Sequence, residues 1–391
     1  MRDSVIAMVS TDATPGSSAA AQAAEIAAWA QAPLRAMVGI SSPSGDLQGA
    51  EAALALAVSL LPQGARVERT PCSTPRCAPD LIGTVTGTGR RRVMLLGHVD
   101  TVIAHGDHRP LREEDGRLFG SGTADMKGGV ILALGVARML ARRPERFAEL
   151  SVLLVTDEEW RVTPFLHVAR FAGYDACLCF EAGERAREGG EGVVVRRKAA
   201  GTLKVLATGR AAHSGSAPDA GRNALLALAA VARLGAGQHD PGGPEQLSAV
   251  PTVMRSGDAF NVVPAAGELI FDLRARCLQA FSEVVDAIPA SLDEVELEVR
   301  MEREWPGMDS GELTAPLIAA ASARLGRPIV GVARGGASDA SHFAATIPLT
   351  VDGLGPRGGG AHTPGEFVLR SSLRERSEVA LALAEAALEA E

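Results

Sequence analysis

Three short apolar runs in this chain each end on a polar group, and that repetition limits the fold more than any other feature. Arg92 to Leu96 (RVMLL) is stopped by Gly97 and followed by His98-Val99-Asp100. Leu150 to Thr156 (LSVLLVT) runs into Asp157-Glu158-Glu159, and Asp175 to Phe180 (DACLCF) ends on Glu181. Runs this short and this apolar read as strands buried on both faces. One helix is expected before them, over Gln48 to Leu61, and one between the first two, over Gly128 to Leu140, with an Ala-rich amphipathic segment earlier around Ile26, Trp29 and Leu34. Strands alternating with helices indicate an α/β domain with a mostly parallel sheet. Ligands of such sheets sit at the carboxyl ends of the strands. The three polar groups therefore converge on one edge of one sheet.

Near residue 200 the pattern changes. Gly201 to Thr208, Ala249 to Arg255, Glu268 to Ala275 and Val295 to Met301 alternate as strands do, and Asn223 to Leu234 and Phe281 to Leu292 read as helices. That order matches a ferredoxin-like α+β sandwich. From about Leu313 the first pattern returns. The expected architecture is one α/β domain made of residues 1–200 and 313–391, interrupted by an inserted domain over 201–312.

Composition narrows the function. Asp+Glu exceed Lys+Arg, 47 to 39, for a net charge of −8, which argues against a general nucleic-acid binder. No apolar run is long enough to cross a bilayer. Residues 1 to about 17 read as a flexible lead without a cationic start and an apolar block, so a cytoplasmic location is expected. The five cysteines do not suggest a disulfide framework in a chain this size. Cys177 and Cys179 are read as facing opposite sides of one strand and so as unable to share a metal. Gly83 to Gly89 is read as a connecting turn.

The groups at the strand ends have a common chemistry. Histidine nitrogen and carboxylate oxygen are ligands for divalent first-row ions. Besides the three strand-end groups, the chain offers Asp125 in GSGTADMKGG and His362 in GGGAHTPGEF.

These residues also carry a resemblance. GHVDTV (97–102), GSGTADMKGG (120–129), TDEE (156–159), FEAGE (180–184), GRAAHSGSAPDAGRNA (209–224) and GAHTPGEFV (360–368) resemble the M20 metallopeptidase family, nearest its glutamate carboxypeptidase branch. Aminoacylases, acetylornithine deacetylases and succinyl-diaminopimelate desuccinylases are further relatives of the same pattern. The likeness runs from about residue 30 to the end, with the motifs in the family's order. It implies a zinc-peptidase catalytic domain whose inserted domain serves as lid and dimer interface. It also implies two divalent ions, zinc first, with cobalt or manganese as substitutes. Asp125 would bridge both ions, with His98 and Glu181 on one and Glu159 and His362 on the other. Asp100 would hold the His98 ring, and Glu158 would be the general base. His213 would reach a partner subunit's site and stabilise an oxyanion. Asn261 and Arg274 would hold the substrate carboxylate, and Gly336 would let the backbone approach it.

The chain departs from the family in two places. After Glu159 a glycine and a serine are usual, whereas here Trp160-Arg161-Val162-Thr163-Pro164 follow; Trp160 is expected to pack under the site or else to shape the substrate pocket. The glutamate branch places basic residues between Glu181 and Gly201 and near Trp305-Pro306. This chain has Arg185, Arg187, Arg196, Arg197 and Lys198 in the first stretch but Trp305 in the second, which opens the pocket to aromatic or apolar side chains. The implied function is a two-metal hydrolase cutting a peptide or N-acyl amide beside a free carboxylate, acting as a homodimer without nucleic acid or membrane. The alternatives are an N-acyl amino acid deacylase, a specialised catabolic amidohydrolase and a non-catalytic binding protein on the same fold.

Overall fold

The computed structural model describes residues 18–390; the expected lead over residues 1–17 lies outside them. A six-stranded sheet runs Arg66–Thr70, Asp80–Thr86, Glu149–Val155, Arg92–His98, Ala176–Cys179, Leu349–Val351 from edge to edge. The last four strands are mutually parallel and the first two antiparallel. Both faces of the central strand are covered. Val93 and Leu95 pack into the main core, with helices Ala19–Val38, Gly128–Leu140, Gly311–Leu325 and Arg370–Glu389. Met94 and Leu96 enter a second cluster with Phe165, Phe171 and Phe343. Double-sided burial is why these strands read as unbroken apolar runs.

The strand Arg92–His98 extends two residues past the expected end, so His98 itself is the last residue in the ladder. Two expectations are corrected. Gly83 to Thr86 is not a turn but part of the buried strand Asp80–Thr86; there a Cβ on Gly83 would meet the Leu61 side chain at 2.6 Å. Cys177 and Cys179 lie on the same face, as residues two apart on a strand must, and both pack in the second cluster.

A second sheet is built from residues 199–305. Its order is Ser248–Ser256, Ala266–Ala275, Ala199–Thr208, Val295–Trp305, Ser291–Leu292, all antiparallel. Numbered along the chain, the four long strands lie 2-3-1-4, the split βαββαβ arrangement expected. It has its own core, with Phe271, Phe281, Leu203 and Leu228. The second helix is shorter than Phe281 to Leu292: it ends at Asp286, before Pro289, whose ring cannot continue a helix.

Close backbone approach joins the helix Gly128–Leu140 to the sheet. A Cβ on Gly129 would stand 1.8 Å from the carbonyl oxygen of Phe180, the residue before Glu181. Gly129→Ala is expected to force these two elements apart and cost at least about 2 kcal/mol in urea unfolding.

Candidate metal centre

The sheet's carboxyl edge gathers the polar groups. His98 ends its strand, Glu158 and Glu159 follow theirs in the turn after Val155, and Glu181 follows Phe180. His362 comes from the loop before Phe367–Leu369, with its backbone in the left-handed region at φ 65°. Asp125 comes from the turn Thr123–Lys127 that leads into helix Gly128–Leu140.

Asp125 lies between two histidines. Its Oδ1 is 3.2 Å from His98 Nε2 and its Oδ2 is 3.1 Å from His362 Nε2. Glu181 Oε1 is 3.6 Å from His98 Nε2, and Glu159 Oε2 is 3.3 Å from His362 Nε2. Two groups thus form, His98–Asp125–Glu181 and Asp125–Glu159–His362, each able to present one ligand atom per residue within 4.8 Å of the others. They share Asp125. The donors are nitrogen and carboxylate oxygen, which suits zinc, cobalt or manganese. The cluster is also short of positive charge. Burial raises Glu159 and Glu181, with the Asp125 charge adding to both, and Glu159 Oε1 is buried without a partner. His362 is pushed up to about 10, first by its bond to Asp125 and then by Glu159. Bound cations would answer both the orphaned oxygen and the crowded carboxylates.

Asp100 organises the surroundings. Its Oδ1 is 3.3 Å from His98 Nδ1 and accepts the Glu158 amide at 3.2 Å; its Oδ2 accepts the Glu159 amide at 3.2 Å and the Ser44 hydroxyl at 2.7 Å. One carboxylate therefore holds the backbone of both glutamates, while the His98 ring is set chiefly by the main-chain carbonyl of the same residue, 3.0 Å from Nδ1, with Oδ1 beside it. Glu158 is buried and belongs to neither ligand group. Burial is the first cause that pushes it up to about 7; His98 opposes this, and Glu159, Asp125 and Asp100 add to it.

The other expected residues lie apart from this cluster. His213 is exposed on the second sheet's unit, its Nδ1 accepting the amides of Gly215 and Ser216. Asn261 is beside it: its carbonyl accepts the Ser214 amide. Arg274 is engaged by Asp272, at 3.1 and 3.0 Å. Gly336 accepts Arg197 Nη1 at its carbonyl, at 2.9 Å. The basic stretch before Gly201 is largely committed elsewhere: Arg196 to Asp309, Arg197 to Asp352, Lys198 to the Gln246 carbonyl. Trp305 is corrected. It does not open a pocket but is buried, donating from Nε1 to the Ser338 carbonyl at 3.0 Å. Trp160 is half-exposed over Gly45 instead of packed beneath the site.

Two residues escaped the sequence reading. Glu366 is buried and accepts the amides of Gly122, Ala124 and Asp125 at 2.8, 2.7 and 2.9 Å, so it shapes the turn that presents Asp125. Its signal was faint, an acid four residues after His362. Arg303 is half-buried with an unpartnered Nε, and no carboxylate pairs with it among the described residues. It faces the same side of the sheet as Asp272, across Thr202. Burial depresses it; Glu158 and Glu159 attract it, while Arg274 and Arg161 repel it.

Comparison with known proteins gives the family. The model for peptidase family M20/M25/M40 matches residues 94–386. The chain belongs to this family. It is a hydrolase of C–N bonds. It is 27% identical over 368 residues to carboxypeptidase G2 of Pseudomonas sp. (strain RS-16), covering 90% of this chain and 87% of that one. It is 30% identical over 309 residues to succinyl-diaminopimelate desuccinylase of Halorhodospira halophila (strain DSM 244 / SL1), covering 73% and 81%. The crystal structure of an M20 family metallo-carboxypeptidase from Sulfolobus solfataricus superposes with a TM-score of 0.71 at 14% identity, covering 92% of this chain and 99% of that one.

Glu366→Ala leaves three amides of the Asp125 turn without their acceptor. A loss of at least about 2 kcal/mol in urea unfolding is expected, with weaker zinc binding by calorimetry.

Proposed function

We propose that this chain is a two-metal hydrolase that cleaves a peptide or N-acyl amide bond next to a free carboxylate. The observation that carries this reading is the position of Asp125, one oxygen toward His98 and the other toward His362. His98, Asp125 and Glu181 would hold one divalent ion, and Asp125, Glu159 and His362 the second. Two such ions, zinc first, would polarise a scissile carbonyl and make water easier to deprotonate. Glu158 is the general base: its carboxylate takes a proton from the attacking water and delivers it to the leaving nitrogen as the C–N bond breaks. The products are a carboxylate and an amine. Asp100 keeps the His98 ring turned so that Nε2 faces the ligand group.

Substrate binding falls to the second sheet. Arg274 and Arg303 lie on one face of it, the charge of Glu158 acts on Arg303, and Arg303 has no acid paired with it among the described residues. An anionic group on the substrate compensates that charge. His213 and Asn261 act in a second copy of the chain. Exposed Leu225, Leu226 and Leu234 on helix Ala224–Ala236, Val250 and Met254 on the edge strand, and fully exposed Phe260 beside Asn261 support a homodimer through this unit. The desuccinylase relative supports an N-acyl amino acid as the alternative to a peptide.

Amine release from a panel of C-terminal dipeptides and N-acyl amino acids tests the reaction. Glu158→Gln is expected to lower kcat at least about a hundredfold with bound zinc unchanged; full turnover by this variant refutes the base. Arg303→Gln is expected to raise KM about tenfold or more for the acidic members of the panel and to spare the neutral ones. Equal effects on both remove Arg303 from substrate binding.

A further inference from the structure

Arg161 stands where the family resemblance has small residues, and the metal centre makes no use of it. Its side chain is wholly buried. Nη1 donates to Asp157 Oδ1 at 2.9 Å, and Nη2 pairs with Asp339. Its guanidinium lies 4.1 Å from the Phe165 ring centre and 4.7 Å from that of Trp305. Each contact leads to a different part of the molecule. Asp157 immediately precedes Glu158, and its other oxygen is held by the Thr74 amide at 2.9 Å. Asp339 closes the loop Gly335 to Asp339, where Ser338 receives Trp305 and Gly336 receives Arg197. Trp305 ends the last long strand of the second sheet.

A buried arginine held by two aspartates is a poor stabilising device. Desolvation consumes most of the attraction, and an apolar side chain of similar volume often serves as well. What the arrangement does supply is geometry. A planar fork with one acid on each terminal nitrogen fixes the separation of the two loops that carry those acids. The aromatic faces on the guanidinium add a contact to the end of the second sheet.

We propose that Arg161 is a positioning residue: it sets the distance between the Glu158 turn and the Gly336 loop, and so between the base and the substrate held opposite it. This rests on the reading of Glu158 as the base. The zinc ligands keep their own supports, Asp100 beneath His98 and Glu159, and Glu366 beneath Asp125. Loss of Arg161 therefore acts on turnover and not on metal content.

Asp339→Asn is the first test, because it weakens one leg and leaves the buried Arg161–Asp157 pair intact. With zinc-loaded protein and the panel member that wild type cleaves best, kcat is expected to fall about tenfold to a hundredfold, with zinc stoichiometry unchanged. Arg161→Met is expected to show the same loss, and the double variant no further loss, since both remove one tie. Arg161→Lys, which reaches one acid but not both, is expected to show the same loss, since the tie needs both acids. Hydrogen exchange gives a reading that needs no substrate: the amides of Glu158 and Glu159 and those of residues 336–340 should speed up together in Asp339→Asn. Wild-type turnover and wild-type exchange in that folded variant overturn the proposal. A fully active Glu158→Gln overturns the function assigned above instead, so the two failures are distinct.

Discussion

The structure depends on one electrostatic problem, the gathering of Asp100, Asp125, Glu158, Glu159 and Glu181 at the end of a buried sheet with only His98 and His362 among them. Carboxylates repel each other and lose hydration on burial, and three of these are raised for those reasons. Bound cations would offset both the repulsion and the lost hydration. The neighbouring elements serve to hold the carboxylates apart and aimed. Asp100 holds two amides and a ring, and Glu366 holds three amides. Gly129 lets a helix lie against the carbonyl before Glu181.

The strand ends were legible because burial on both faces leaves an apolar run with a sharp polar stop. RVMLLGH, LSVLLVTDEE and DACLCFE show it directly. The two ligand groups expected from the resemblance are the two that the structure brings together. The split order of the second sheet was legible too, since half-buried strands alternate while the helices between them do not. Other features were hidden for physical reasons. Glu366 acts through backbone amides, which carry no side-chain signature. The unpaired state of Arg303 depends on which acids lie across three strands, and no local pattern encodes that.

Trp305 shows where alignment by motif misleads. Read as a replacement for a basic residue, it predicts an open apolar pocket. In the fold it is a buried brace, bonded to the Ser338 carbonyl and stacked near Arg161 and His342. A cation lies two residues earlier on that strand, at Arg303, on the same face. The departure at Trp160-Arg161 belongs to the same structure: Arg161 fills the space between Trp305 and Phe165.

If two cations share Asp125, both sites depend on that one carboxylate. Zinc titration followed by calorimetry and elemental analysis tests it most directly, on wild type and on Asp125→Ala. Two zinc ions per chain are expected in wild type, with both sites weakened by the single substitution. One ion per chain, or an Asp125→Ala protein that loses one site and keeps the other at full affinity, would contradict it.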